Sequence, residues 1–78
     1  MSIQERLQMI LKMHNLSPSA FADKLGVQRS NISHVLSGRN KPSLDLLEKI
    51  VNAFPRVNAH WLITGNMSTA ILFKEMIP

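Results

Sequence analysis

The chain has 78 residues, a net charge of +4 and no cysteine, and 45% of its residues are hydrophobic. This length supports one domain with a modest core, and the absence of cysteine excludes disulfides and thiolate metal sites. The charged N-terminus lacks the apolar stretch of a signal peptide. No apolar run approaches the ~20 residues of a membrane span. We therefore expect a cytoplasmic protein that does not bind membranes. Its basic charge favours a polyanionic binding partner.

The first segment is typical of an amphipathic helix. Ser2 and Glu5 have the spacing of a capping box, in which each side chain bonds the other residue's backbone N–H. Apolar residues then recur at helical spacing: Ile3, Leu7, Ile10 and Leu11. The pattern predicts helix 1 over residues 2–14, with Arg6 and Lys12 facing outward.

Two short helices follow with a tight turn between them. Ser17 is a suitable cap and Pro18 suits a first helical position, which predicts helix 2 over residues 18–25, ended by Gly26. Helix 3 is predicted over residues 28–37 and ends before Gly38. Their apolar faces consist of Phe21, Ala22 and Leu25, and of Ile32, Val35 and Leu36. With only about three residues between them, the pair forms a helix-turn-helix.

The remaining segments predict two further helices and a tail. Ser43 caps helix 4, which Pro55 ends, and Asn58 caps helix 5, which Gly65 ends. The apolar repeat of helix 4 is Leu44, Leu47, Ile50, Val51 and Phe54, and Trp61 and Leu62 of helix 5 point inward. Because no segment before residue 66 shows sustained alternation, the pattern predicts an all-α fold with five helices in one domain, residues 1–66.

Residues 67–78 form an apolar tail. Its apolar side chains are Ile71, Leu72, Phe73, Met76 and Ile77, and their spacing fits a helix or a strand. The tail could be disordered, fold back onto the core or pair with a second copy. We hypothesise that the tail and helix 5 help to form a two-fold homodimer, because such apolar side chains are poorly suited to water.

The segment over residues 24–44 contains no Asp or Glu. It carries four cations, which are Lys24, Arg29, Arg39 and Lys41. The face of helix 3 opposite its apolar stripe holds short or planar polar residues: Ser30, Ser33, His34 and Ser37, with Arg29 and Asn31 on the flanks. Such a face suits a DNA major groove, where Arg29 could bond guanine bidentately and Asn31 or His34 could meet base edges. The helix N-terminus and the turn at residues 38–41 offer N–H groups and charge to phosphates.

The ordered motifs resemble the phage-repressor/Cro family of helix-turn-helix regulators, the XRE-like group. The motifs are Ser17, Phe21–Ala22, Leu25–Gly26–Val27, Ile32–Ser33, Gly38–Arg39 with Pro42–Ser43, and Trp61–Leu62 with Gly65. The resemblance implies a bundle that binds double-stranded operator DNA, usually as a homodimer, to control transcription. It places base contacts on Gln28, Arg29, Ser30, Ser33 and His34, and phosphate contacts on Ser17, Ser19, Arg39, Asn40 and Lys41. We add Asn31 and Ser37 as flanking phosphate contacts.

Two residues depart from this family pattern. Pro18 stands where the family often has Gln, so that phosphate contact must weaken or move to Ser17 or Ser19. Gln28 stands where Ser or Thr often caps helix 3, and Gln is a poorer cap. The start of helix 3, and with it the register of its base contacts, depends on that cap.

Other classes of function fit the sequence less well. A protein-docking module on the same fold is the main alternative, with the apolar tail as its functional surface. RNA binding is weaker, because exposed aromatic residues for base stacking are missing. The histidines at 14, 34 and 60 lack metal-ligand spacing, and no nucleophile or phosphate loop indicates an enzyme. We therefore expect no catalysis, metal, cofactor or small-molecule effector site.

Overall fold

The computed structural model of the protein describes residues 1–66, and these form five α-helices with no strand among them. The helices are α1 (Ile3–Met13), α2 (Pro18–Leu25), α3 (Arg29–Leu36), α4 (Leu44–Ala53) and α5 (Ala59–Thr64). The predicted all-α class is confirmed. The hypotheses about the tail concern residues 67–78 and lie outside the described residues. None of the helices within residues 1–66 has the length and apolarity that a membrane span requires.

Side-chain caps begin four of the five helices. Ser2 and Glu5 form the predicted capping box, and Ser17, Ser43 and Asn58 each accept a hydrogen bond from the backbone N–H three residues later. Each such cap contributes about 0.5–2 kcal/mol. Helix α3 differs, because Gln28 occupies its N-cap position without a capping side-chain bond. Helix α3 therefore begins at Arg29, one residue later than predicted.

Phe54, which follows α4, lies at the centre of an aromatic cluster. Its ring stacks on Phe21 at 5.7 Å between centroids and tilts against His14 at 4.5 Å. Phe54 is one of the twelve buried residues of the hydrophobic core, which are Leu7, Ile10, Leu11, Phe21, Ala22, Leu25, Ile32, Val35, Leu46, Ile50, Phe54 and Leu62. Every helix contributes to this one core, so the position of each depends on the others.

The apolar repeat predicted for α4 was wrong at its first residue. Leu44 is 77% exposed, whereas Leu46 is buried. At 100° per residue, Leu46 lies about 40° from the buried Ile50, while Leu44 lies about 120° away from it. The buried face of α4 therefore begins at Leu46 and not at Leu44.

Arg6 was predicted to face outward, and the structure buries it with 5% of its surface exposed. Its Nε donates to the carbonyl of Leu62 at 2.8 Å, and its Nη2 donates to that of Ile63 at 3.2 Å. Its Nη1 donates to the carbonyl of Met1. The last carbonyls of a helix lack intrahelical partners and carry partial negative charge, which a guanidinium satisfies. Arg6 thus ties the end of α5 to α1.

The turn between α2 and α3 consists of the three residues 26–28. Gly26 has φ = 70°, the left-handed conformation that lets α2 end abruptly. The backbone N–H of Val27 donates to the carbonyl of Ala22 at 3.0 Å, and the Val27 side chain packs against the core. The turn therefore holds α3 across α2 with one face of α3 inward and the other in solvent.

Candidate nucleic-acid interface

Helix α3 presents a polar face to solvent, as predicted. Ile32 and Val35 are buried, and Leu36 packs partly against the core. The residues of the outward face and its flanks are exposed, except for the half-buried His34: Arg29, Ser30, Asn31, Ser33 and Ser37. Helix α3 itself contains no carboxylate. Its outward surface therefore offers hydroxyl, amide, imidazole and guanidinium groups for hydrogen bonding.

The start of α2 lies beside the middle of α3. Pro18, Ser33 and Ser37 line one shallow depression together with Gln8 and Leu11 of α1 and Leu36. Ser17 precedes Pro18, and its Oγ accepts from the N–H of Ala20 at 3.1 Å, which leaves the hydroxyl proton free to donate. Ser19 is exposed. Of the residues at the start of α2, the structure thus places Pro18, the neighbour of Ser17 and Ser19, in the same depression as Ser33.

The backbone of the turn after α3 is less available than the sequence indicated. The N–H groups of Arg39 and Asn40 donate to the carbonyl of His34 at 2.9 and 3.3 Å, and that of Gly38 donates to Val35. Ser37 Oγ also donates to the His34 carbonyl, at 3.1 Å. These donors satisfy the last carbonyls of α3, which need partners outside the helix. The N–H groups of residues 38–40 are therefore occupied within the turn, and we expect phosphate contacts there to come from side chains.

The four cations of residues 24–44 differ in their surroundings. Lys24 places its Nζ over the Phe54 ring, 5.4 Å from the centroid. Arg29 forms an ion pair with Asp23. Arg39 and Lys41 are exposed, and within residues 1–66 neither takes part in an ion pair. The turn after α3 is therefore the part of this segment whose cations are most available to an anion.

Asp23 is a residue of the site that the sequence reasoning missed. Its Oδ1 accepts from Arg29 Nε at 3.2 Å, and its Oδ2 accepts from Nη2 at 2.8 Å. This bidentate bond lowers the pKa of the Asp23 carboxyl and raises the pKa of the Arg29 guanidinium. The segment without Asp or Glu begins at Lys24, one residue after Asp23, so a search of that segment for carboxylates did not include Asp23. The usable signal was an acid and a base flanking a tight turn.

Two glutamines of α1 were also missed. Gln8 Nε2 donates to the carbonyl of Leu36 at 3.3 Å, at the C-terminal end of α3. Gln4 Nε2 lies 3.3 Å from the place that a Cβ on Gly38 would occupy. Gln4 and Gln8 are one helical turn apart, so they share a face of α1. That face supports the end of α3 and the turn that follows it.

The described residues contain no cluster of candidate metal ligands. Within residues 1–66 no three His, Cys, Asp or Glu side chains come together as metal ligands would. His14 bonds the carbonyl of Ile10 through Nδ1 at 2.9 Å and packs on Phe54, so its role is structural. Asp45 pairs with Lys49 at 3.3 Å in the first turn of α4. What the site offers is hydrogen bonding and positive charge.

Comparison with known proteins agrees with this geometry. A family model described as helix-turn-helix matches residues 7–62. The chain is 35% identical over 65 residues to the "HTH-type transcriptional regulator for conjugative element R391" of Providencia rettgeri, and equally to the corresponding regulator for element SXT of Vibrio cholerae. Each alignment covers 83% of this chain and 29% of the relative. No solved structure gave a significant match. The chain therefore belongs to the helix-turn-helix family, in the XRE-like group that its motifs resemble.

Proposed function

We propose that the chain is a sequence-specific double-stranded DNA-binding transcriptional regulator that inserts α3 into the major groove. One observation carries the proposal: the outward, carboxylate-free face of α3 adjoins Arg39 and Lys41, whose exposed cations are outside ion pairs within residues 1–66. The major groove admits an α-helix, and phosphates attract the cations beside it. The protein-docking alternative does not require either feature.

The proposed base contacts lie on the N-cap and the first two turns of α3. They are Gln28, Arg29, Ser30, Ser33 and His34, of which all but the half-buried His34 are exposed. Arg29 offers the paired donors that guanine accepts, and the Gln28 amide can donate to adenine N7 and accept from adenine N6. The serines are short enough to let the helix backbone approach the bases closely. Sequence preference in this proposal comes from these residues.

The proposed phosphate contacts surround that face. They are the side chains of Arg39, Asn40 and Lys41 in the turn, Ser17 and Ser19 at the start of α2, and Asn31 and Ser37 on the flanks of α3. The Ser37 hydroxyl now donates to the His34 carbonyl, so it must turn outward to donate to a phosphate oxygen. Contacts of this class fix the orientation of the protein on DNA and supply most of the salt-dependent affinity.

The named relatives support a role in transcriptional control. They are regulators for conjugative elements, and this chain spans less than a third of their length. We extend to this chain their DNA-binding role, exercised in the cytoplasm without catalysis. Whether it also controls a conjugative element is tested by finding its operator within one.

A homodimer completes the proposal. One α3 makes few contacts, whereas a two-fold dimer places two copies on half-sites about one helical turn of DNA apart. Ile63 of α5 is 52% exposed and offers an apolar contact to a second copy. Sedimentation equilibrium tests this: a monomer at all concentrations, with and without duplex DNA, would contradict it. Dimerisation that survives truncation after Asn66 would exclude the tail from the interface.

Fluorescence anisotropy with a labelled random-sequence duplex, titrated across salt concentrations, tests the DNA-binding proposal. The test variant is Arg39→Gln/Lys41→Gln, and the matched control is Lys49→Gln/Arg56→Gln, which removes the same charge from exposed positions on and after α4. We expect wild-type affinity to fall steeply with salt. Loss of two phosphate contacts reduces the logarithmic slope by about 2. Equal effects of both variants, or no binding at low salt, would contradict the proposal.

A further inference from the structure

The ion pair between Asp23 and Arg29 joins the two helices of the helix-turn-helix. Asp23 belongs to the last turn of α2, and Arg29 is the first residue of α3. The side chains are 59% and 65% exposed, respectively, and both bonds form between the carboxylate and one edge of the guanidinium. The pair is therefore a surface feature at the end of α3 that the proposed function places in the major groove.

The bidentate bond leaves a defined part of Arg29 free. A guanidinium has five N–H donors, and Asp23 uses the one on Nε and one of the two on Nη2. Both donors of Nη1 and the second donor of Nη2 remain, and within residues 1–66 no group accepts from them. One donor of Nη1 and the free donor of Nη2 lie along the other edge of the guanidinium. That edge has the two-donor spacing that guanine O6 and N7 accept.

We propose that Asp23 is a positioning residue that orients Arg29 so that its free Nη1/Nη2 edge contacts guanine. The inference rests on the proposed function, which it deepens by naming the base and the residue that fixes its contact. An unpaired arginine at a helix start samples many rotamers, and ordering it on binding costs affinity. The carboxylate removes part of that cost before DNA arrives.

The same carboxylate acts against non-specific binding. In the proposed orientation Asp23 brings a negative charge toward the phosphates that flank the groove. On any sequence without the guanine, its repulsion has no compensating base contact. Removing the charge should therefore strengthen binding to random DNA while weakening the preference for guanine. A residue with a merely structural role would affect both sequences equally.

The test is selection of binding sites from a random duplex pool by the full chain and its variants, followed by anisotropy on the selected duplex. Wild type is compared with Asp23→Asn, Arg29→Gln and the double variant. Asp45→Asn is the matched control, because it removes the same carboxylate from another exposed ion pair. Asp23→Glu retains the carboxylate and tests for partial rescue. Thermal unfolding should change little in all of them, since exposed ion pairs contribute little to stability.

We expect the wild-type motif to contain a guanine whose preference disappears in Arg29→Gln. In Asp23→Asn, the preference at that position alone should fall about two- to tenfold, the effect of immobilising one long side chain. The double variant should match Arg29→Gln, and Asp45→Asn should keep the wild-type motif.

Two results would overturn the inference while leaving DNA binding intact. One is a motif that is identical in wild type and Asp23→Asn. The other is an Arg29→Gln variant that loses only salt-dependent affinity, which would make Arg29 a phosphate contact. If the wild-type chain enriches no motif and does not bind the pool, the proposed function itself fails.

Discussion

Replacing the buried Arg6 by methionine should destabilise the fold more than a typical substitution. Methionine fills a similar volume but has no donors, so the carbonyls of Met1, Leu62 and Ile63 lose their partners. Two of these carbonyls end α5, whose Leu62 side chain is fully buried in the core. The perturbation therefore tests whether Arg6 holds α5 in place.

The magnitude follows from the burial of each bond. The Leu62 carbonyl bond is buried, and leaving a buried acceptor unsatisfied costs about 1–3 kcal/mol. The other two bonds are partly buried, so water replaces them at a smaller cost, about 0.5–1 kcal/mol each. Removing an unpaired buried charge returns part of this energy. The expected net loss is about 2–4 kcal/mol, which is large for a domain of this size.

Urea unfolding followed by far-ultraviolet circular dichroism measures the loss. The fluorescence of Trp61, the only tryptophan of the chain, reports on α5 in the same samples. Lys12→Met is the matched control, because Lys12 is exposed on the same helix and its replacement should cost less than about 0.5 kcal/mol. Arg6→Met within about 0.5 kcal/mol of wild type would refute the reasoning. The reasoning would also be refuted if stability fell by about 2–4 kcal/mol while the fluorescence of Trp61 in the folded state stayed the same as in wild type.

Three further predictions concern single positions, and a fourth concerns a pair of carboxylates. Gly65→Ala should cost about 1–3 kcal/mol in urea unfolding, because Gly65 has φ = 81° and a Cβ there lies 2.8 Å from Arg6 Nη1. In Gly26→Ala the new Cβ meets no atom within 4 Å, so only the positive φ of 70° is unfavourable, and the expected loss of stability is about 1 kcal/mol. Gln28→Ser should raise the melting temperature by capping α3, a gain of about 0.5–1 kcal/mol, yet weaken DNA binding by removing a proposed base contact. Hydrogen bonds lower the pKa of Glu5 and Asp23, so their stabilisation is present at neutral pH and is lost as pH falls below their ordinary values of 4.5 and 3.8. The melting temperature of Glu5→Gln/Asp23→Asn should therefore fall less steeply as the pH is lowered than that of wild type.

The helices could be predicted from the sequence because their signals are local. Ser2, Ser17, Ser43 and Asn58 each precede a helical apolar pattern, and all four cap as expected. A cap involves a side chain and a backbone N–H three residues apart, so its information lies within one turn. The outward face of α3 followed from the same periodicity.

Arg6 and Asp23 were misjudged because their side chains act across the fold. Arg6 appeared to be a solvated cation because its partners on α5 are 56 and 57 residues away. Asp23 lay outside the carboxylate-free segment by one residue, yet the tight turn brings it to Arg29. The N–H groups of residues 38–40 appeared free because a linear pattern does not show that α3 needs them for its own last carbonyls. Periodicity identifies a face, but partners depend on packing.

A titration of the isotope-labelled chain with a random duplex at low salt, followed by amide chemical-shift changes in NMR, tests the central claim most directly. The account predicts that the largest changes occur at residues 17–19 and 28–41, with little change in α1 before Gln8 or in α4 after Glu48. Changes concentrated on α4, or spread evenly over residues 1–66, would contradict the insertion of α3 into the major groove.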